Sequence, residues 1–138
     1  MKKITDILLA IKTYAHQIHL NFKDYGDHLL ADKMREDIDA DIDRLKELVM
    51  ATMPEISHAV NTLSGAFALL EPIPLTTNIN EMFDYLLQLE QEADRLINQE
   101  IKVTEHEGLK NALADVAGKR LRHIYLLTNR LTRGQQNG

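Results

Sequence analysis

The sequence predicts an all-α fold: four long helices packed as a bundle, with a short helix in the long central connection. Three observations predict it. Helical periodicity of apolar residues runs almost unbroken along the 138 residues. Glycine and proline are few, at 6 and 3, so few breakers interrupt the periodic stretches. Hydrophobic residues make up 44% of the chain, enough for one real core, so 1–138 is expected to be a single domain.

The first helix is expected from about 4 to 22, with Ile4, Ile7, Leu8, Ile11, Ala15, Ile18 and Phe22 on one stripe. The stretch KDYGD (23–27) reads as a turn with Gly26 as its breaker. The second helix carries Leu30, Met34, Ile38, Ile42, Leu45 and Val49, and Pro54 ends it or starts the next piece. Ile56, Val60, Leu63, Phe67 and Leu70 mark the short helix, closed by EPIP (71–74). Asn78 stands three residues before Glu81, a capping-box pattern. The third long helix follows with Met82, Leu86, Leu89, Ala93, Leu96, Ile97 and Ile101. Gly108 breaks the pattern. The fourth carries Leu113, Val116, Ala117, Ile124, Leu127 and Leu131 and is expected to end at Gly134.

Short links make the first pair and the last pair of long helices antiparallel. The long middle link can return along the bundle and leave the second and third long helices parallel, which is ferritin-like connectivity.

Composition excludes several functions. Cysteine is absent, so disulfides and thiolate metal sites are ruled out. The start, MKKITDILLAIKTYA, is interrupted by Thr5, Asp6 and Lys12 and reads as a helix rather than a signal peptide. No apolar run approaches the ~20 residues that span a bilayer, and a cytoplasmic location is expected. The formal charge of −5 argues against broad binding to a phosphate backbone.

The second helix is dense in Asp and Glu, with His28 near its head. At about 100° per residue, its apolar stripe spans about 0° to 120° from Leu30, whereas His28, Asp32, Asp43 and Glu47 fall at about 160° to 260°. They share a face that does not pack the bundle. His28 and Asp32 are i, i+4 neighbours, as are Asp43 and Glu47. The two pairs lie roughly 16 Å apart along the axis, too far to share one metal within one chain. An antiparallel copy of the same helix, related by a two-fold axis, brings unlike pairs together at two equivalent sites. On the first helix His16 and His19 lie off the Ile/Leu stripe, as do Leu9 and Leu20, which suggests an interface. Imidazole with carboxylate suits Fe(II), Mn(II) or Zn(II) rather than Mg or Ca. A solvated acidic face is the plain alternative, and His16 fits an interface histidine or a supporting ligand.

The run HQIHL (16–20), then H-x-x-x-D, ten residues, and D-x-x-x-E resembles the Dps mini-ferritin family (DNA-binding proteins from starved cells). RHIYLL (122–127) is similar to that family's last-helix stretch. The resemblance covers nearly the whole chain. It implies iron as the metal and His19, His28, Asp32, Asp43 and Glu47 as both ligands and catalytic residues. It also implies a division: His19, Asp43 and Glu47 from one subunit, His28 and Asp32 from its two-fold mate. A hollow homo-dodecamer built from two-fold dimers, Fe(II) oxidation preferably by hydrogen peroxide, and ferric storage inside are further implications.

There are departures. Only eight residues separate His19 from His28, Leu20 replaces the usual aromatic, and Leu29 and Lys33 stand where acids are common. Glu105, Glu107 and Asp115 are candidates for pore residues. Lys119, Arg120, Arg122, Arg130 and Arg133 make the last helix basic near its end, yet no duplex DNA binding and no membrane partner are expected. A non-catalytic ferritin-like shell or scaffold, with DNA protection as one version of it, is the competing function, and peroxide-dependent Fe(II) oxidation discriminates the two.

Overall fold

In a computed structural model of the chain, residues 1–22, 24–52 and 59–137 are described, the side chains of 59–62 and 134–137 excepted. The described residues form five helices and no strand: α1 (Lys2–Asn21), α2 (Tyr25–Thr52), α3 (Ala59–Leu70), α4 (Ile79–Val103) and α5 (Glu107–Asn137). Pro54 and the helix start expected at Ile56 lie outside the described residues.

The expected stripes meet in one core. Ile4, Ile7, Leu8, Ile11, Ala15 and Ile18 of α1 pack with Met34, Ile38, Ile42 and Leu45 of α2. Met82, Leu86, Ala93 and Ile97 of α4 join Leu113, Val116, Ala117 and Leu127 of α5 in the same cluster. Each stripe is buried because only this face of its helix is apolar along its full length.

Helix α1 packs against α2, α3 and α4, and α5 packs against α2 and α4. Ion pairs give the directions. Asp27 meets Arg130, Asp41 meets Lys119 and Arg44 meets Asp115, so α5 descends as α2 rises. With short links joining α1 to α2 and α4 to α5, α2 and α4 run parallel on one diagonal of the bundle.

Local chemistry moves three expected boundaries. Gly26 does not break the chain: Asp24 Oδ1 accepts the Asp27 N–H at 2.9 Å, and α2 starts at Tyr25 with Gly26 in its first turn. Gly108 likewise sits inside α5, because His106 Nδ1 accepts the Leu109 N–H at 3.1 Å and caps the helix. First-turn amides lack intrahelical partners anyway, so a glycine there costs little. Nor does Gly134 end α5, which continues to Asn137; a helix already propagating adds residues cheaply. The Asn78 cap forms as expected, its Oδ1 accepting the Glu81 N–H at 3.1 Å.

The short helix α3 reverses its expected orientation. Leu63 and Phe67 are exposed, 66% and 65%, and Ala66 is buried instead. Gly65 explains this. A Cβ built there would lie 2.0 Å from Asp6 Oδ2, so α3 approaches α1 through its small residues and turns its large apolar ones outward. Leu9, expected at an interface, already packs on the core, whereas Leu20 is 62% exposed.

Candidate metal centre

The short link between α1 and α2 sets the end of one helix beside the start of the other. His19 and His28 meet there with their rings stacked, centroids 3.8 Å apart and planes 28° from parallel. The His16 ring, one turn earlier, also stacks on His19, with centroids 5.9 Å apart and planes 15° from parallel.

Each ring is tied to the other's backbone. His28 Nδ1 donates to the His19 carbonyl at 2.9 Å, and His19 Nδ1 donates to the His28 carbonyl at a longer 3.4 Å. A carbonyl oxygen only accepts, so in a neutral ring the proton sits on Nδ1 and the Nε2 lone pair is left for a ligand. This is the arrangement that orients metal-binding imidazoles. Asp32 Oδ1 lies 3.7 Å from His19 Nδ1. Arg35 donates to that same oxygen through Nη2 at 2.6 Å and Nε at 3.2 Å. The Arg35 hydrogen bonds outweigh the effect of burial and hold the Asp32 carboxyl below its usual range. Asp32 is therefore anionic at neutral pH, as a ligand must be.

Asp43 and Glu47 stand on the same helix, exposed, about 16 and 22 Å along the axis from Asp32 at ~1.5 Å per residue. Among the described residues no three His, Asp or Glu side chains converge well enough to hold an ion within one chain. Within one chain His19 lies beside His28 and Asp32, because the end of α1 abuts the start of α2, and not beside Asp43 and Glu47. Among the described residues His16 finds no hydrogen-bond partner for its buried Nδ1.

A second polar cluster lies inside the bundle. Glu90, Arg120, His123 and Asp41 are all buried. His123 places Nδ1 2.9 Å from Glu90 Oε1 and Nε2 3.0 Å from Asp37 Oδ2. Arg120 donates Nη2 to Asp41 Oδ2 at 3.2 Å. Its Nε is an ion-pair partner of Glu90 Oε2 at 3.0 Å, although the angle misses hydrogen-bond geometry. Lys119 reaches Asp41 from the rim at 2.8 Å. Burial pushes the Asp37 carboxyl up, but hydrogen bonds from His123 and Lys33 prevail and hold it low. The sequence carried a signal for this cluster. Glu90 follows Leu86 by four and precedes Ala93 by three, and His123 precedes Leu127 by four, so both are charged residues at core spacing. Di-metal bundles place Glu-x-x-His pairs in their cores. Here the pair reads Arg120-x-x-His123, and a permanent guanidinium stands where such a site has a carboxylate.

The basic end of α5 is largely spoken for. Arg120 is in the core, Lys119 holds Asp41, and Arg130 donates to Asp27 at 2.6 and 2.9 Å and to Asn80 at 2.9 Å. Arg130 and Arg133 also line an open cleft of about 460 Å³ beside Asp24 and Asp27. Of the pore candidates, Asp115 pairs with Arg44 at 2.9 Å, and Glu105 and Glu107 are exposed. No described helix is long and apolar enough to cross a membrane. Compared with family models, curated proteins and solved structures, the chain matches none.

Proposed function

We propose that this chain is a ferritin-like subunit of the Dps mini-ferritin type, a ferroxidase that takes Fe(II) and hydrogen peroxide as substrates at sites shared between two copies. The observation that carries this reading is the reciprocal tie between His19 and His28 beside an ionised Asp32. Two imidazoles with fixed Nδ1 protons and one carboxylate make half of a nitrogen–oxygen site suited to Fe(II). Asp43 and Glu47 of a second copy supply the other half. The anionic oxygens favour Fe(III) over Fe(II) and so drive oxidation.

Peroxide takes one electron from each of two Fe(II) ions and picks up two protons to leave two waters, without releasing hydroxyl radical. The parallel α2 and α4, joined by a long link that contains α3, support the ferritin-like arrangement. Exposed Leu20, Leu29, Leu63 and Phe67 supply apolar surface for a two-fold dimer, from which a dodecameric iron-storing shell is built.

The test is an anaerobic Fe(II) titration followed by peroxide. Ferric absorbance that grows as one peroxide is consumed per pair of Fe(II) supports the reading. The Arg35–Asp32 pair, which puts a cation on a ligand carboxylate, favours the competing non-catalytic shell. Oxidation no faster than in buffer alone establishes that alternative.

A further inference from the structure

We propose that His123 is a proton-operated clamp inside the bundle: as an imidazolium it holds α2 and α4 to α5, and on losing its proton it lets one of them go. The argument is geometric. Its two ring nitrogens face carboxylate oxygens from two different helices, Asp37 on α2 at 3.0 Å and Glu90 on α4 at 2.9 Å. Neither ionised carboxylate has a proton to give, so both contacts are hydrogen bonds only if both nitrogens carry hydrogen. A neutral ring has one N–H. It would leave the other carboxylate facing a nitrogen lone pair in a site where His123 is 1% and Glu90 0% exposed.

The surrounding charges agree. Among the described residues α5 packs on α2 and α4 only. The charged groups around the ring are Lys33, Asp37 and Asp41 from α2, Glu90 from α4, and Lys119 and Arg120 from α5 itself. Lys33 and Lys119 stand at the exposed rim, 55% and 43% accessible. Asp37 and Asp41 each also take a lysine from that rim, whereas among the described residues the fully buried Glu90 is met by Arg120 and His123 alone. Arg120 never deprotonates in a protein. His123 is the other buried side chain in the cluster that can carry a positive charge, and its charge depends on holding a second ring proton. The low Asp37 carboxyl fits a cationic neighbour.

The clamp grips α2 through Asp37, which lies in sequence between Asp32 and Asp43 but on the opposite side of the helix. It does not depend on what the outer face binds. Stability falls with rising pH wherever the folded chain gives up a proton that held it together.

Nitrogen–proton NMR on the full chain reads the ring directly. At neutral pH His123 should show both Nδ1–H and Nε2–H signals, identified by their loss in His123→Gln. The thermal midpoint should fall across the pH range in which one of these signals disappears, and His123→Gln should lack that fall. If His123→Gln does not fold, Glu90→Gln serves: it removes one anion and should move the His123 transition to lower pH. A single N–H at neutral pH, or an unchanged transition in Glu90→Gln, overturns the proposal.

Discussion

His28 Nδ1 lies 2.9 Å from the carbonyl oxygen of His19, and His19 Nδ1 returns a contact of 3.4 Å to the carbonyl of His28. Each imidazole is therefore positioned by the backbone that carries the other. The pair behaves as one unit at the junction of α1 and α2. Removing either ring disturbs both, and this grouping decides how mixed subunits should behave.

On the proposed function, His28→Ala and Asp43→Asn should each lower Fe(II) oxidation by roughly 10–100-fold with the assembly intact, the scale set by loss of a metal ligand or its support. Co-expressing His28→Ala chains with Asp43→Asn chains should restore part of the rate, since one of the two sites in a mixed dimer then holds both intact halves. Co-expressing His19→Ala with His28→Ala should restore nothing, because both residues belong to the same half. Recovery in the second mixture would return His19 to the side of Asp43.

Gly65→Ala should destabilise the chain by ~1–3 kcal/mol, despite the better helix propensity of alanine, worth about 1 kcal/mol. The new methyl would lie 2.0 Å from Asp6 Oδ2 and 2.2 Å from its Cγ. The Asp6 carboxylate must then swing out and strain its 2.6 Å pair with Lys2. Pairing the change with Asp6→Ala should recover most of the loss in urea denaturation.

Arg120→Met should cost ~3–5 kcal/mol, since Glu90 and Asp41 remain buried without their guanidinium. Lys119→Ala removes a rim cation from the same Asp41 and should cost ~1 kcal/mol or less. Thermal or chemical denaturation of the two variants measures the contrast. Equal losses would mean that Arg120 does not neutralise the core.

Burial, reinforced by Tyr85 and Glu81, pushes the Tyr14 phenol up to about 12. The unfolded chain releases this proton near the ordinary value of 10.0, so between these values the folded state holds more proton. Stability must fall as pH rises through that window. Tyr14→Phe should flatten the fall and remove the latest phenolate step in an absorbance titration. Near neutral pH it should cost little, because the buried hydroxyl meets no protein partner among the described residues.

Duplex DNA should not be retarded in a gel shift at about 150 mM salt, where weak non-specific contacts are mostly lost. The formal charge is −5, and Lys119, Arg120 and Arg130 of α5 are already paired with acids of α2 and α4. Retardation at sub-micromolar protein would shift the function toward nucleic-acid protection.

Periodicity alone determined the four long helices, their core stripes and the Asn78 cap, because each depends on residues within a turn or two of one another. It also determined that His28, Asp32, Asp43 and Glu47 share the outer face of α2, since helix geometry sets angle and rise. Local caps by Asp24 and His106, rather than the nearby glycines, set the starts of α2 and α5. Tertiary structure alone decided the rest. Gly65 faces Asp6, so Leu63 and Phe67 turn outward. His19 joins His28 and Asp32 because antiparallel packing brings together residues whose sequence distance says nothing of their separation. His123 reaches Asp37 across 86 positions and Arg120 reaches Asp41 across 79, and no local pattern encodes such a pairing. A charged residue at core spacing announces that it needs a partner; only the packing of three helices says which one it finds.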